Sequence, residues 1–283
     1  MNTALEEKNH YLSEVFSKMN RVLVAFSGGV DSTLVLKRAQ QELGSSNVLA
    51  VVVASELFRK EEFEGAVQLA KDMGVRVHET EISELDDEAI VANNSDSWYY
   101  SKKLLYTHLN QLADEWGYDY VLDGMIMDDE EDFRPGLKAR NELGIRSVLQ
   151  ESNMYKHEVR ELSKHLGLPV WSKSASCSLA SRIPYGTELD KEKIEQVDQA
   201  EKFVTQLGFD PVRVRHHGNV ARIEVTPDKV GELIAYREQI RSKLQSLGFQ
   251  YVSIDLEGYR TGSMNEVLVE KSINKVVSKV EIG

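Results

Sequence analysis

Residues 22–33, VLVAFSGGVDST, decide the fold. The first five residues are an apolar, β-branched-rich run without polar alternation, as a strand buried on both faces requires. The run passes directly into Ser27-Gly28-Gly29-Val30-Asp31-Ser32, and apolar residues at helical spacing begin at Thr33. The glycines let the backbone come close to a ligand. The amides of the loop and of the helix N-terminus, from Gly28 to Ser32, face an anion with the helix dipole behind them. Ser27 and Ser32 add hydroxyl donors, and Asp31 is a carboxylate able to hold a magnesium ion against phosphate oxygens. A bare tight turn accounts for the glycines but not for two hydroxyls and an acid at a helix start. The spacing is not GxxxxGK[ST], which would bring a lysine to a γ-phosphate, and not the GxGxxG of dinucleotide folds.

Outward from this stretch, short apolar runs alternate with helical patterns. Residues 48–54 and 120–122 read as further buried strands and 76–82 as a weaker one. Residues 33–43, 60–73 and 102–116 read as helices, with Gly44, Gly74 and Gly117 at their C-terminal ends. Strand–helix alternation predicts an α/β fold, a doubly wound parallel sheet with helices on both faces. After residue 186 the grammar changes. A helix at 189–207, strands at 211–215 and 221–225, a helix at 227–247 and a strand at 251–256 predict a smaller C-terminal α+β domain. Charge shifts at the same place: Lys+Arg 19 face Asp+Glu 30 in residues 1–175, against 15 and 16 in residues 176–283. The expected organisation is therefore a domain at 1–175 and another at 176–283, joined by a loop at 174–187. Residues 267–283 carry no clear pattern and read as a fraying end.

With 283 residues, two domains are the natural expectation. A net charge of -12 makes a poor general binder of the phosphate backbone, so nucleic acid is not an expected partner. No N-terminal apolar h-region and no long apolar run are present, so the expectation is a cytoplasmic protein without a membrane partner. The one cysteine, Cys177, excludes an internal disulfide and an all-cysteine metal cluster within one chain. By residue type alone an inert, small hydrophobe is the readier reading of a lone cysteine. Cys177, however, stands among serines in a polar loop, with Arg182 following, a setting that can hold a thiolate. Arg213 and Arg215 alternate on one face of a strand with Val212 and Val214 on the other. They read equally as an oxyanion clamp or as solvated arginines. Trp98 reads as a stacking partner for a cationic ring or as part of an aromatic cluster. Gly124, after the strand at 120–122, reads as a ligand-approach glycine or an ordinary turn. The acidic run from Asp128 to Asp132 reads as a solvated loop.

The SGGVDS stretch resembles the PP-loop of the ATP pyrophosphatases, which hold the pyrophosphate of ATP while an oxygen nucleophile attacks the α-phosphorus. The resemblance implies ATP, Mg2+ and an adenylated intermediate. In that superfamily the end of the second strand, here at Ser55, lies near the nucleotide. SGGVDST together with SELF at 55–58, DSWYY at 96–100, RPGLKAR at 134–140 and ASCSLASRIPYGT at 175–187 is similar, over essentially the whole chain, to the LarE family. Members insert sulfur during biosynthesis of the nickel-pincer nucleotide, acting on a pyridinium-3,5-biscarboxylic acid mononucleotide. The resemblance implies that Cys177 attacks the adenylated carboxylate and surrenders its sulfur, leaving dehydroalanine. It also implies substrate contacts from Trp98, Ser181, Arg182, Glu201, Arg213 and Arg215, although by pattern alone Glu201 is a surface acid on a helix. A homo-oligomer is a further implication. Ile126 and Met127 stand where many PP-loop relatives have Asn and acidic residues, so that turn is not expected to serve the nucleotide. Three other readings compete: a tRNA-modifying enzyme, disfavoured by the acidity; an amide-forming ligase, which has no use for Cys177; and a nucleotide-binding sensor without catalysis.

Overall fold

Strands β1 (Val22–Ala25), β2 (Val48–Ala54), β3 (Arg76–Glu81) and β4 (Tyr120–Leu122) form a parallel sheet in the order β3-β2-β1-β4. The computed structural model describes residues 3–130, 135–174, 176–260 and 263–265. The end at 267–283, Ala175 and part of the acidic run lie outside them. Two compact units emerge: the chain to Asp87 with Asp96–Ser176, and Glu88–Ser95 with the chain from Cys177 onward.

Helices of the first unit are α1 (Thr3–Phe16), α2 (Val30–Leu43), α3 (Lys60–Asp72), α5 (Ser97–Trp116), α6 (Gly136–Glu142), α7 (Val148–Glu151) and α8 (Lys156–His165), while the short α4 (Glu88–Val91) belongs to the second. Alternation along β1 explains why its run is apolar throughout. Val22 and Val24 join Leu12, Phe16, Leu34 and Val159 in one core, and Leu23 joins Tyr106, Leu109 and Ala139 in another. Both faces are covered, so no position on β1 can be polar. From β1 the chain builds β2 and β3 on one side and then places β4 on the other. Such a reversal opens a crevice at the carboxyl ends of the strands, and the glycine loop starts there. The expected fold class is borne out.

The second unit carries α9 (Lys191–Gln206), β5 (Val212–His217), β6 (Val220–Val225), α10 (Val230–Leu233), α11 (Arg237–Ser246) and β7 (Tyr251–Ile254). Its sheet order is β5-β6-β7, with β5 and β6 antiparallel and β6 and β7 parallel. Val212, Val214, Ala221, Ile223 and Val225 turn one face toward Ala200 and Val204 of α9 and Ile240 and Leu244 of α11. Arg213, Arg215, Arg222 and Glu224 alternate with them on the opposite face.

Some elements differ from expectation. The helix expected at 227–247 is broken into α10 and α11 by 3-10 turns at Pro227–Lys229 and Ile234–Tyr236. Gly231 and β-branched Val230 and Ile234 weaken helix propensity there, and Ile234 stays exposed. α2 begins at Val30, so Asp31 and Ser32 lie in its first turn. Among the described residues no helix is long and apolar enough to cross a membrane.

Candidate active site

Gly28 adopts a φ of +66°, and a Cβ there would stand 2.9 Å from Ala66 Cβ of α3, so only glycine fits. Gly29 is the N-cap of α2 and offers no side-chain acceptor, which leaves the first-turn amides free to receive an anion. The hydroxyls of Ser27 and Ser32 lie 3.0 Å apart, and Gly29 N donates to Ser27 Oγ at 3.4 Å. Amides, hydroxyls and a carboxylate thus converge at a helix start, the donor set that a magnesium-bound polyphosphate needs. Asp31 is the carboxylate in this set able to hold such an ion beside phosphate oxygens.

The loop has two basic neighbours that sequence order hides. Lys156, first residue of α8, donates Nζ to Asp31 Oδ1 and Oδ2 at 2.9 and 2.7 Å. Lys173 Nζ donates to Glu62 Oε2 at 2.9 Å and to the carbonyl of Gly28 at 3.4 Å. Burial pushes the Asp31 carboxyl above its ordinary value, with the Lys156 pair pulling the other way. Neither lysine carries a local motif, and only the tertiary fold brings them to the loop.

At the strand ends the structure sorts the remaining candidates. A Cβ on Gly124 would stand 2.8 Å from Ser32 N and 3.2 Å from Asp31 C, so this glycine lets β4 pack against the start of α2. Asp123, just before it, accepts from Tyr106 Oη at 2.8 Å and Ser147 Oγ at 2.6 Å. Burial, then the Asp123 charge, raises the Tyr106 phenol far above its ordinary value, and it remains a donor. Ser55 donates its hydroxyl to the buried Glu84, which also accepts from Ser101 Oγ at 2.5 Å. The acidic run is not a uniformly solvated loop. Asp129 is buried and accepts from Ile126 N at 2.9 Å, while Asp128 accepts from Lys156 N at 2.8 Å. Trp98 lies half-buried in the first turn of α5.

In the second unit Cys177 is exposed and free. The residues after it are held firmly. Arg182, 3% exposed, donates Nε and Nη2 to the two oxygens of Glu201 at 2.9 and 3.0 Å. Its Nη1 reaches the carbonyls of Cys177 and Ser178 at 3.3 and 3.1 Å and Ser181 Oγ at 2.7 Å. Burial disfavours the Arg182 cation, but the Glu201 carboxylate outweighs it and holds the guanidinium above its ordinary value. Glu201 Oε1 also accepts from Val214 N at 2.8 Å, covering the free edge of β5. Glu201 is therefore no surface acid: it is 1% exposed because it joins the cysteine loop to α9 and β5.

The two strand arginines share a face as expected but are not equivalent. Arg215 donates Nε and Nη2 to Glu224 at 2.9 and 2.7 Å, Nη1 to the carbonyl of Ser181 at 2.7 Å and Nη2 to Ser263 Oγ at 2.9 Å. Its charge is matched inside the protein, so it is not a solvated arginine. Arg213 donates to the carbonyl of Val212 at 2.8 Å and lies over the Tyr259 ring at 5.2 Å. Of the two, Arg215 is buried and Arg213 half-buried. Sequence reasoning misses Asn93, which donates Nδ2 to the carbonyls of Ile183, Pro184 and Thr187 at 3.1–3.2 Å and so holds the exit of the cysteine loop.

Comparison with known proteins adds to this geometry. The NAD synthase family model matches residues 5–99, the part that contains the glycine loop. The chain is 49% identical over 269 residues to the pyridinium-3,5-bisthiocarboxylic acid mononucleotide synthase of Lactiplantibacillus plantarum, covering 95% of this chain and 98% of that one. It is 40% identical over 268 residues to an uncharacterised protein of Synechocystis sp., covering 94% and 100%. A shorter match, 28% identical over 181 residues, is to a subunit of the glutamine-hydrolysing GMP synthase of Sulfurisphaera tokodaii, covering 58% and 47%.

Proposed function

Because the chain belongs to the LarE family, that of the pyridinium-3,5-bisthiocarboxylic acid mononucleotide synthase, we propose that it is a sacrificial sulfur donor whose donor atom is Cys177 Sγ. The enzyme is an ATP-dependent sulfur transferase built on a PP-loop unit. Its proposed substrate is pyridinium-3,5-biscarboxylic acid mononucleotide. A carboxylate oxygen of the substrate attacks the α-phosphorus of ATP and pyrophosphate leaves. The amides of Gly28 to Ser32 and the hydroxyls of Ser27 and Ser32 hold the departing pyrophosphate. Asp31 would hold Mg2+, which when bound would supply charge neutralisation for the phosphate oxygens.

Cys177 Sγ then attacks the acyl carbon and AMP leaves, giving a thioester. Removal of the Cys177 Cα proton expels the thiocarboxylate by breaking the Cβ–S bond, and dehydroalanine remains in the chain. The observation that carries this reading is an exposed thiol on a loop clamped by buried, bidentate ion pairs. An inert cysteine would be packed in a core. The thiol is free to react while the backbone beneath it is held by Arg182, Glu201 and Asn93. We assign Arg182, Glu201, Ser181 and Arg215 to positioning of that loop, and Arg213 and Trp98 to the substrate phosphate and pyridinium ring. Ser55 and Gly124 shape the strand ends around the nucleotide. A cytoplasmic homo-oligomer completes the proposal.

The test is product stoichiometry. With ATP, Mg2+ and the dicarboxylate, the purified chain yields at most one thiocarboxylate sulfur per protein molecule. Repeated turnover without added sulfur, or an amide product from ammonia, contradicts the proposal and favours the ligase chemistry of the GMP synthase relatives.

A further inference from the structure

Lys156 stands in an unusual place. A lysine at the first position of a helix opposes the helix dipole, which favours negative charge there. The arrangement is compensated by Asp31, whose two oxygens both accept from Lys156 Nζ, and by Asp128, which accepts from the Lys156 amide. The pair is only partly covered, with side-chain exposures of 30% for Lys156 and 25% for Asp31. Asp31 is also the carboxylate to which Mg2+ is assigned. A carboxylate with both oxygens engaged by an ammonium group is a poor ligand for a bare divalent cation, whose arrival would also bring two positive charges next to a third.

We propose that Lys156 is an exchangeable counter-ion: in the nucleotide-free chain it neutralises Asp31 and keeps bare divalent metal off that carboxylate, and on binding of the metal–ATP complex it moves to the phosphate oxygens. The proposal rests on the reading that the glycine loop binds ATP. The chemistry fits the side chain. Lysine is a compact point charge on a flexible four-carbon stem with three donors, able to change partner with little backbone movement. Metal–triphosphate carries net negative charge, so its metal releases Lys156 from Asp31 and its phosphates receive the freed ammonium. Lys173, whose nitrogen contacts Glu62 and the Gly28 carbonyl, adds a second positive charge beside the loop. Such an exchange makes metal and nucleotide binding mutually dependent without a fixed acidic cage.

Two binding measurements test the exchange without any turnover. Mn2+ alone is titrated by electron paramagnetic resonance, and α,β-methylene-ATP with Mg2+ by calorimetry, for the unaltered chain, Lys156→Gln and Lys156→Arg. Lys156→Gln is expected to bind Mn2+ alone about tenfold more tightly and the nucleotide about ten- to hundredfold more weakly. Lys156→Arg, which retains the charge, is expected to keep Mn2+ excluded as in the unaltered chain, and it serves if the glutamine variant does not fold. A structural role alone moves both affinities in the same direction, and that result overturns the proposal, as does Mn2+ binding by the arginine variant at the tenfold higher affinity. If the unaltered chain binds no nucleotide, the ATP reading fails and the exchange with it. If it binds nucleotide and the variants do likewise unchanged, only the exchange fails.

Discussion

The glycine loop and the cysteine loop are both short, polar and rich in small residues, yet they are held in opposite ways. The first is fixed by its own backbone: a left-handed Gly28, a buried strand before it and a helix after it. The second is fixed from outside by Glu201, Arg215 and Asn93, none of which lies in the loop. A loop that offers backbone amides takes its shape from local geometry, and Lys156 and Lys173 only add charge to it from distant segments. A loop that must present one atom while remaining open needs buried charge beneath it. The first loop is accordingly sensitive to backbone strain and the second to loss of ion-pair partners.

The largest expected effect separates the two loops completely. Cys177→Ser should lower thiocarboxylate formation by at least about 10³-fold, while substrate-dependent pyrophosphate release persists. Loss of both activities would show that the loops do not divide the chemistry as assigned. Next comes the clamp. Glu201→Ala leaves the buried Arg182 guanidinium without its carboxylate and should cost about 3–5 kcal/mol, read by denaturant unfolding. The double change Arg182→Met with Glu201→Leu should recover most of that stability without recovering sulfur transfer. If it restores transfer too, the pair has no positioning role.

Gly28→Ala tests the backbone side of the contrast. It imposes a left-handed alanine and a contact of 2.9 Å with Ala66, at an expected cost of about 2–3 kcal/mol together with weakened nucleotide binding. An alanine variant as stable as the parent would mean that the loop is not held by its own geometry. The smallest effect concerns α8, which carries Lys156. Glu158 accepts from Lys8 Nζ at 2.7 Å and Tyr155 N at 2.8 Å. Burial opposes its ionisation, but these bonds outweigh burial and hold the carboxyl below its ordinary value of 4.5. Its stabilisation is therefore complete above that pH and is lost as pH falls through the lower, folded value. Glu158→Gln should cost about 1 kcal/mol at neutral pH, and the difference should shrink as acid unfolding is approached. A penalty that does not change with pH would remove the ion pair from the account.

How much of this was legible in the sequence follows from the same contrast. Residues 22–33 announce strand, loop and helix because all three are contiguous and the strand is apolar on both faces. The chain's switch to a second module after residue 186 is visible in its element order. Lys156 and Lys173 are not visible, since each lies more than a hundred residues from the loop it touches and nothing in KHEVREL or WSKS marks it. Glu201 is read as solvated because a helix pattern cannot show that a guanidinium from another segment will cover it. Arg213 and Arg215 are indistinguishable by alternation. The register does not tell them apart either, since it sets Glu224 opposite Arg213; only the side-chain packing, in which Arg215 reaches diagonally to Glu224, does so. The break after Leu233 is equally hidden, because apolar spacing continues through it.

The central claim is that Cys177 is consumed, and the mass of the intact chain measures this directly. After incubation with ATP, Mg2+ and pyridinium-3,5-biscarboxylic acid mononucleotide, the chain should lose the elements of hydrogen sulfide, with the change mapped to residue 177 by peptide fragmentation. An unchanged chain mass in a reaction that has formed thiocarboxylate would contradict the account.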